Sequence, residues 1–388
     1  AITTEAIAGL ETTDIERLSV VQVKGLTEAQ IAVLTSAQIQ ALTTSNIPGL
    51  SSAQIAALNT TNVTGLEAAD LAAITPAALQ GMAGTVLAQL NTSQLLSITT
   101  AQIAQLSSLQ LQALTTSQIA TLSSEQLQAL TPSNIPGLSS AQVAALTTTN
   151  LPGLQSVDLA AITTEAIAGL ETTDIERLST SQVQGLRRDQ IEQLSPDQLR
   201  AFTTAAIAAL SGTQISGFSS AGIASLSTAQ LAAIQPGLVI YVPGSGLSTA
   251  AIAALSSTQV TALFYNMFAE FSSAQLAAFT TSNIVGVTDK QLAALNPTNL
   301  PGLESVDLAR ISTAAIQGFE PEDLALLSTS QWQGITTAQI AALRPTQIAA
   351  LTSAQLLELS TAHIQALTTS NIASLSTAQI AVLTSAQI

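Results

Sequence analysis

Apolar residues recur along this chain at alternating intervals of three and five. Leu10, Leu18, Leu26, Leu34 and Leu42 stand eight apart, and Ile7, Ile15, Val23, Ile31 and Ile39 each precede one of them by three. The spacing holds without a slip from Thr3 to Ile234, stops over Gln235–Leu247 (QPGLVIYVPGSGL), and resumes from Ser248 to Leu383. The repeat reads [S/T]-[S/T]-x-[Q/N/D]-[I/L/V]-x-[A/G]-L, with positions one to eight; 29 complete octads precede the interruption and 17 follow it. Positions five and eight are apolar in all 46, and position four is Gln, Asn or Asp in 36. The expected organisation is an octad solenoid over residues 1–234, an insertion at 235–247, and the same solenoid over 248–388.

The polar positions say what each octad folds into. A hydroxyl at position one and an amide at position four, as in Thr35 and Gln38, have the spacing of a helix capping box. Pro76, Pro132, Pro196, Pro297, Pro321 and Pro345 all occupy position two. That is the first helical residue, where a missing N–H costs nothing. Pro48, Pro136, Pro152 and Pro301 sit at position six, each followed by Gly. A proline there forbids a long α-helix. Ala, Gln and Leu fill the body and favour helix over strand. Each octad is therefore expected to be one turn of α- or 3-10 helix and a tight corner. A single turn is not stable alone, so stacking of positions five and eight must supply the stability. The fold class expected is an all-α solenoid. A β-solenoid is the alternative, which the three-then-five spacing fits poorly.

Two longer periods lie above the octad. Glycine at position seven recurs at 137, 153, 169 and 185, and at 286, 302, 318 and 334, a spacing of sixteen. This predicts two octads per coil, hence a rod on the order of 200 Å at roughly 8–10 Å per helical layer. AITTEAIAGLETTDIERLS occurs at Ala1–Ser19 and Ala161–Ser179, and AQIAVLTSAQI at Ala29–Ile39 and Ala378–Ile388. The second offset, 349 residues, leads us to expect a block of a larger tandem array. The opening segment is no signal peptide and begins within the pattern, which points the same way.

Composition narrows the function classes. The formal charge of −15 disfavours nucleic acid, whose phosphates demand Lys and Arg, and disfavours anionic lipid. With no cysteine there are no disulfides, thiol catalysis or thiolate metal sites. No apolar run approaches the ~18 residues of a membrane span.

Candidate chemistry is sparse. His363, the only histidine, replaces the usual Gln at position four and reads as a variant cap. Asp14, Asp70, Asp158, Asp174, Asp307 and Asp323 also stand at position four. They read as carboxylates accepting N–H bonds at helix starts, or as a calcium ladder, for which no calcium-loop motif is present. Arg187 and Arg188 form a solvated basic pair, and GSG within Pro243–Leu247 lacks the Lys and Thr of a phosphate loop. The Ser/Thr pairs at positions one and two read as caps, as glycosylation acceptors, or as a face for polysaccharide or ice. Seven of the ten aromatic residues fall between Phe218 and Phe279. There LVIYV (Leu238, Val239, Ile240, Tyr241, Val242) is expected as a short strand projecting from the rod. With Phe264, Tyr265, Phe268 and Phe271 it forms a candidate assembly patch, since aromatics favour interface cores and such a strand could extend a neighbour's sheet. The bland account of the same aromatics is a repacked core beneath the insertion.

The repeats ITTAQIAAL (Ile335–Leu343) and LTSAQIQAL (Leu34–Leu42) resemble the repeat regions of very large bacterial exoproteins, adhesin-like and filament-forming. The resemblance covers nearly the whole chain and implies export, great length, and contact with surfaces or with other copies. NLPGL (Asn150–Leu154) resembles a leucine-rich repeat more loosely, but an eight-residue period is too short for that family. The expectation is a non-enzymatic, extracellular structural repeat, without cofactor or metal, whose partners are copies of itself. A binding module for glycan or ice is the alternative.

Overall fold

The computed structural model describes residues 2–242, 246–385 and 387. The chain divides into two compact units, Ala1–Phe202 and Thr203–Ile388. Among the described residues both consist of short helices without a strand, so the protein is an all-α solenoid.

Each octad folds by the same local rules. In Thr35–Leu42 the helix is Ser36–Gln40, and Thr35 is its N-cap at φ −73°, ψ 163°. Leu34 before it is also extended, at φ −61°, ψ 137°. Two extended residues, positions eight and one, thus make this corner. Where proline stands at position six the octad tightens to a three-residue 3-10 helix, as in Ile47–Gly49, Leu151–Gly153 and Leu300–Gly302. Positions five and eight form the core: Ile39, Leu42, Ile340 and Leu343 are all buried, and only in the last octads are position-five residues, Ile372 and Ile380, exposed.

The coil differs from the expectation of sixteen residues. Helix Ser36–Gln40 packs on Val63–Gly65, Ser156–Ala161 on Thr180–Gly185, and Thr204–Ala209 on Thr228–Ala233. Within each unit an octad therefore lies on the third one before it, and a coil contains three octads, or 24 residues. Uniform corners give each octad about a third of a turn. Three sides also enclose a core wide enough for two large apolar side chains from each.

The sixteen-residue glycine spacing has a local cause. A Cβ on Gly65 would come 1.9 Å from the Ser36 carbonyl oxygen, and one on Gly302 would come 2.0 Å from that of Ser273. Glycine marks octads whose ends press on the coil beneath, and says nothing about how many octads complete a turn.

The supposed insertion also reads differently. Pro236–Tyr241 is a 3-10 helix, not a projecting strand. Val239 and Val242 are buried, so Gln235–Val242 is itself an octad, with positions five and eight in the core. Leu238, Ile240 and Tyr241 take positions four, six and seven. The register then closes early, at buried Leu247, because Pro243–Leu247 supplies five residues instead of eight; Pro243, Gly244 and Ser245 lie outside the described residues. The strand pattern misled because β-branched residues at positions five and eight satisfy the octad core as well as Ile and Leu do.

Candidate functional site

Position four is where the solenoid is tied together. A helix of one turn leaves nearly all its N–H and C=O groups without intrahelical partners. Gln54 answers at both ends. Its Oε1 accepts the Ser51 N–H at 2.8 Å, and the Ser51 hydroxyl accepts the Gln54 N–H at 3.3 Å. Its Nε2 donates to the Val23 and Leu26 carbonyls at 2.9 and 2.7 Å. Those carbonyls belong to positions five and eight of the fourth octad before. Asn283 repeats the pattern, accepting from Thr280 N at 2.8 Å and donating to Ile252 O at 2.8 Å and Leu255 O at 3.1 Å. Each amide is a rung: it caps its own helix and satisfies orphan carbonyls of the coil beneath. A buried carbonyl left unpaired costs about 1–3 kcal/mol, so a ladder of rungs is a large share of the specificity of stacking.

His363 stands in a rung, as a variant cap should. Its Nδ1 accepts the Ser360 N–H at 3.2 Å, and it bonds the Ile335 backbone. Burial lowers its pKa from the usual imidazole value. The position-one hydroxyls act as caps, while position-two hydroxyls such as Ser52 and Thr116 are exposed. Arg187 pairs with Asp189 at 3.0 Å and Arg188 with Glu192 at 2.8 Å, all on the surface.

The aspartates are the departure. Asp14 is exposed, but Asp70, Asp158, Asp174, Asp307 and Asp323 are buried in rungs. Burial, then the neighbouring Glu67 or Glu304, raises Asp70 and Asp307 to about 6. Burial is also the leading cause of the upward shifts of Asp158, Asp174 and Asp323. Asp174 Oδ2 and Asp307 Oδ1 are buried without a hydrogen-bond partner. Among the described residues no group of three His, Cys, Asp or Glu side chains converges as a metal site.

The candidate assembly patch separates into two sets. Val239, Val242, Phe268 and Phe271 are buried. Phe268, Phe271 and Phe279 form a ring cluster with centroids 5.3 to 6.2 Å apart. Trp332 is also in the core, at 2% exposure, so it offers no platform for a sugar. Ile240, Tyr241, Phe264 and Tyr265 remain outside, each 43–48% exposed, with Leu238 half-buried. Phe264 and Tyr265 touch, with centroids 4.8 Å apart. Tyr241 lies over Gly212, where a Cβ would come 2.3 Å from its Cε2.

Sequence reasoning saw the cap and missed the second half of the rung. The signal was present: position four is Gln or Asn in 30 of the 46 octads, and their side chains carry a carbonyl that accepts and a separate NH2 that donates two hydrogens, where a hydroxyl has only one to give.

The ALTTAQ repeat family matches residues 7–44, 122–156, 151–188, 167–204, 316–353 and 353–388, together half of the chain. The chain belongs to that family. Among curated proteins nothing matches. A solved structure, the leucine-rich repeat-containing protein LegL7 from Legionella pneumophila, shares 15% identity over 79% of this chain and 78% of its own, with a TM-score of 0.11. That likeness carries no argument about fold. No helix among the described residues is long and apolar enough to cross a membrane.

Proposed function

We propose that this member of the ALTTAQ repeat family is a structural repeat of a large extracellular bacterial surface protein, non-enzymatic, which works as a self-associating scaffold. The rung supports the scaffold reading. Each octad leaves for later ones the same carbonyls that it takes from earlier ones, so stacking has no built-in stop. The observation that carries self-association is the exposed patch of Ile240, Tyr241, Phe264 and Tyr265, which holds all three aromatic side chains that are not buried. Large exposed aromatics are a feature of interface cores.

The test is electron microscopy of the chain beside a variant carrying Tyr241→Ser, Phe264→Ser and Tyr265→Ser. Deleting Gln235–Leu247 would remove part of a coil, whereas these substitutions touch the surface. Regular fibres or bundles from the wild type, with dispersed particles from the variant, are expected. If both assemble alike, the patch is not the contact. If neither assembles, the exposed position-two hydroxyls become the surface to screen against glycans and ice.

A further inference from the structure

Six octads carry aspartate at position four, and each has Glu or Gln at position one: Glu11, Glu67, Gln155, Glu171, Glu304 and Glu320. Glu stands at position one in no other octad. In a neutral rung the amide oxygen takes the position-one N–H and the amide nitrogen gives its hydrogens to two carbonyls. An aspartate sets an oxygen in each place. Asp158 shows the first half, its Oδ2 accepting the Gln155 N–H at 3.0 Å. The rung register turns the other oxygen toward carbonyls, those of Leu276 and Phe279 for Asp307 and of Val143 and Leu146 for Asp174. A carbonyl is an acceptor only, and so is an ionised carboxylate. This is why Asp174 Oδ2 and Asp307 Oδ1 lack a partner in the interior.

We propose that the buried aspartate rungs are proton-operated: a protonated carboxyl donates to the carbonyls of the coil beneath as an amide does, so mild acid tightens the solenoid and neutral pH loosens it at these octads.

The surroundings favour the proton. Around Asp307, octads 272–279, 280–287, 296–303, 312–319 and 328–335 hold no titratable side chain, leaving Glu304 and Arg310 of its own octad. Around Asp70, octads 35–42, 43–50, 59–66, 75–82 and 91–98 hold none; Glu67 is on its own octad and Glu16 shares an open cleft with it. Asp174 has Glu171, Glu176 and Arg177 on its octad, Glu165 beside it, and Asp197 and Arg200 on the octad above. The position-one glutamates therefore add negative charge beside the rung, as Glu67, Glu171 and Glu304 do for their aspartates.

A folded pKa raised above its unfolded value gives stability that is complete below the unfolded value and lost as pH rises through the folded one. For Asp70 and Asp307 that window runs from 3.8 to about 6. His363, shifted down, acts in the opposite sense: its contribution is lost as pH falls. A comparison in which His363 is unchanged cancels it.

The experiment is thermal unfolding of the full chain, wild type beside the triple variant Asp70→Asn, Asp174→Asn, Asp307→Asn, at about pH 5 and about pH 8. The wild type is expected to gain about 5 °C relative to the variant on going from the higher pH to the lower, with the variant the more stable at the higher. Equal pH slopes, or a variant less stable at about pH 8, overturn the proposal. If the variant does not fold, infrared spectroscopy of the wild type decides. A protonated-carboxyl band persisting at about pH 5.5, where exposed carboxylates are ionised, supports it, and no band overturns it. Calcium is a control: if calcium rather than acid raises wild-type stability, and does not raise that of the variant, the rungs take a cation and the proposal falls.

Discussion

The octads around Gln54 and those around Met267 share one frame and hold together differently. Gln54 fastens its own cap and two carbonyls of an earlier octad. Met267, at the same position, has no amide to offer, and its octad Phe264–Phe271 has no hydroxyl cap. Buried Met267 and the Phe268, Phe271 and Phe279 rings fill the space instead. In the first region hydrogen bonding specifies the stacking. In the second, apolar volume does, and two aromatic side chains are released to the surface. The lesson is that positions five and eight define the fold, while position four is open to exchange wherever the core can compensate.

Three sets of substitutions sharpen or break this contrast. The largest effect is expected from backbone crowding. Gly302→Ala forces a Cβ against the Ser273 carbonyl, at a cost of about 3 kcal/mol. Gly237→Ala meets nothing within 4 Å, and should leave urea unfolding almost unchanged. Equal losses from the two would mean that the aromatic region packs as tightly as the regular one. Next come the rungs. Gln54→Leu strands the Ser51 N–H and the Val23 and Leu26 carbonyls and should cost about 2 kcal/mol. Met267→Gln should gain up to about 1 kcal/mol if the Val239 and Val242 carbonyls accept it. A loss there would show that the aromatic core excludes a rung. The smallest effect is at Gly212 and Tyr241. Gly212→Ala pushes on the ring for about 1 kcal/mol. Adding Tyr241→Ala should restore most of that, a coupling readable in a double-mutant cycle.

Much of the fold was legible from residue order. The paired capping residues such as Thr35 and Gln38, the prolines at positions two and six, and the inward Ile and Leu are local signals, and the helices they describe are the ones observed. The count of octads per coil was not legible. It depends on the corner angle, and the most visible long period, that of glycine, reports steric contact instead. Gln235–Val242 was misread because strand propensity and the octad core select the same β-branched residues. In the candidate aromatic patch, the register that resumes at Ser248 already set Phe268 and Phe271 at the inward positions five and eight and Phe264 and Tyr265 at the outward positions one and two, whereas Val239 and Val242 were hidden as core residues because their segment was read as an insertion.

The shortened octad behaves like a stacking fault in a crystal. Above it, Gln259 finds its carbonyls 28 and 25 residues back, at Leu231 and Ile234, in place of the usual 31 and 28. By Gln275 the 28-residue link is back, to Leu247, and by Asn283 both links are, to Ile252 and Leu255. The fault is therefore gone by the fifth octad after it. Interlayer bonding has a memory of only four octads, so a deletion is forgotten almost as soon as it is made. A gene built of such repeats can gain, lose or trim copies by slippage and still encode a continuous stack, with each error confined to the layer where it occurred.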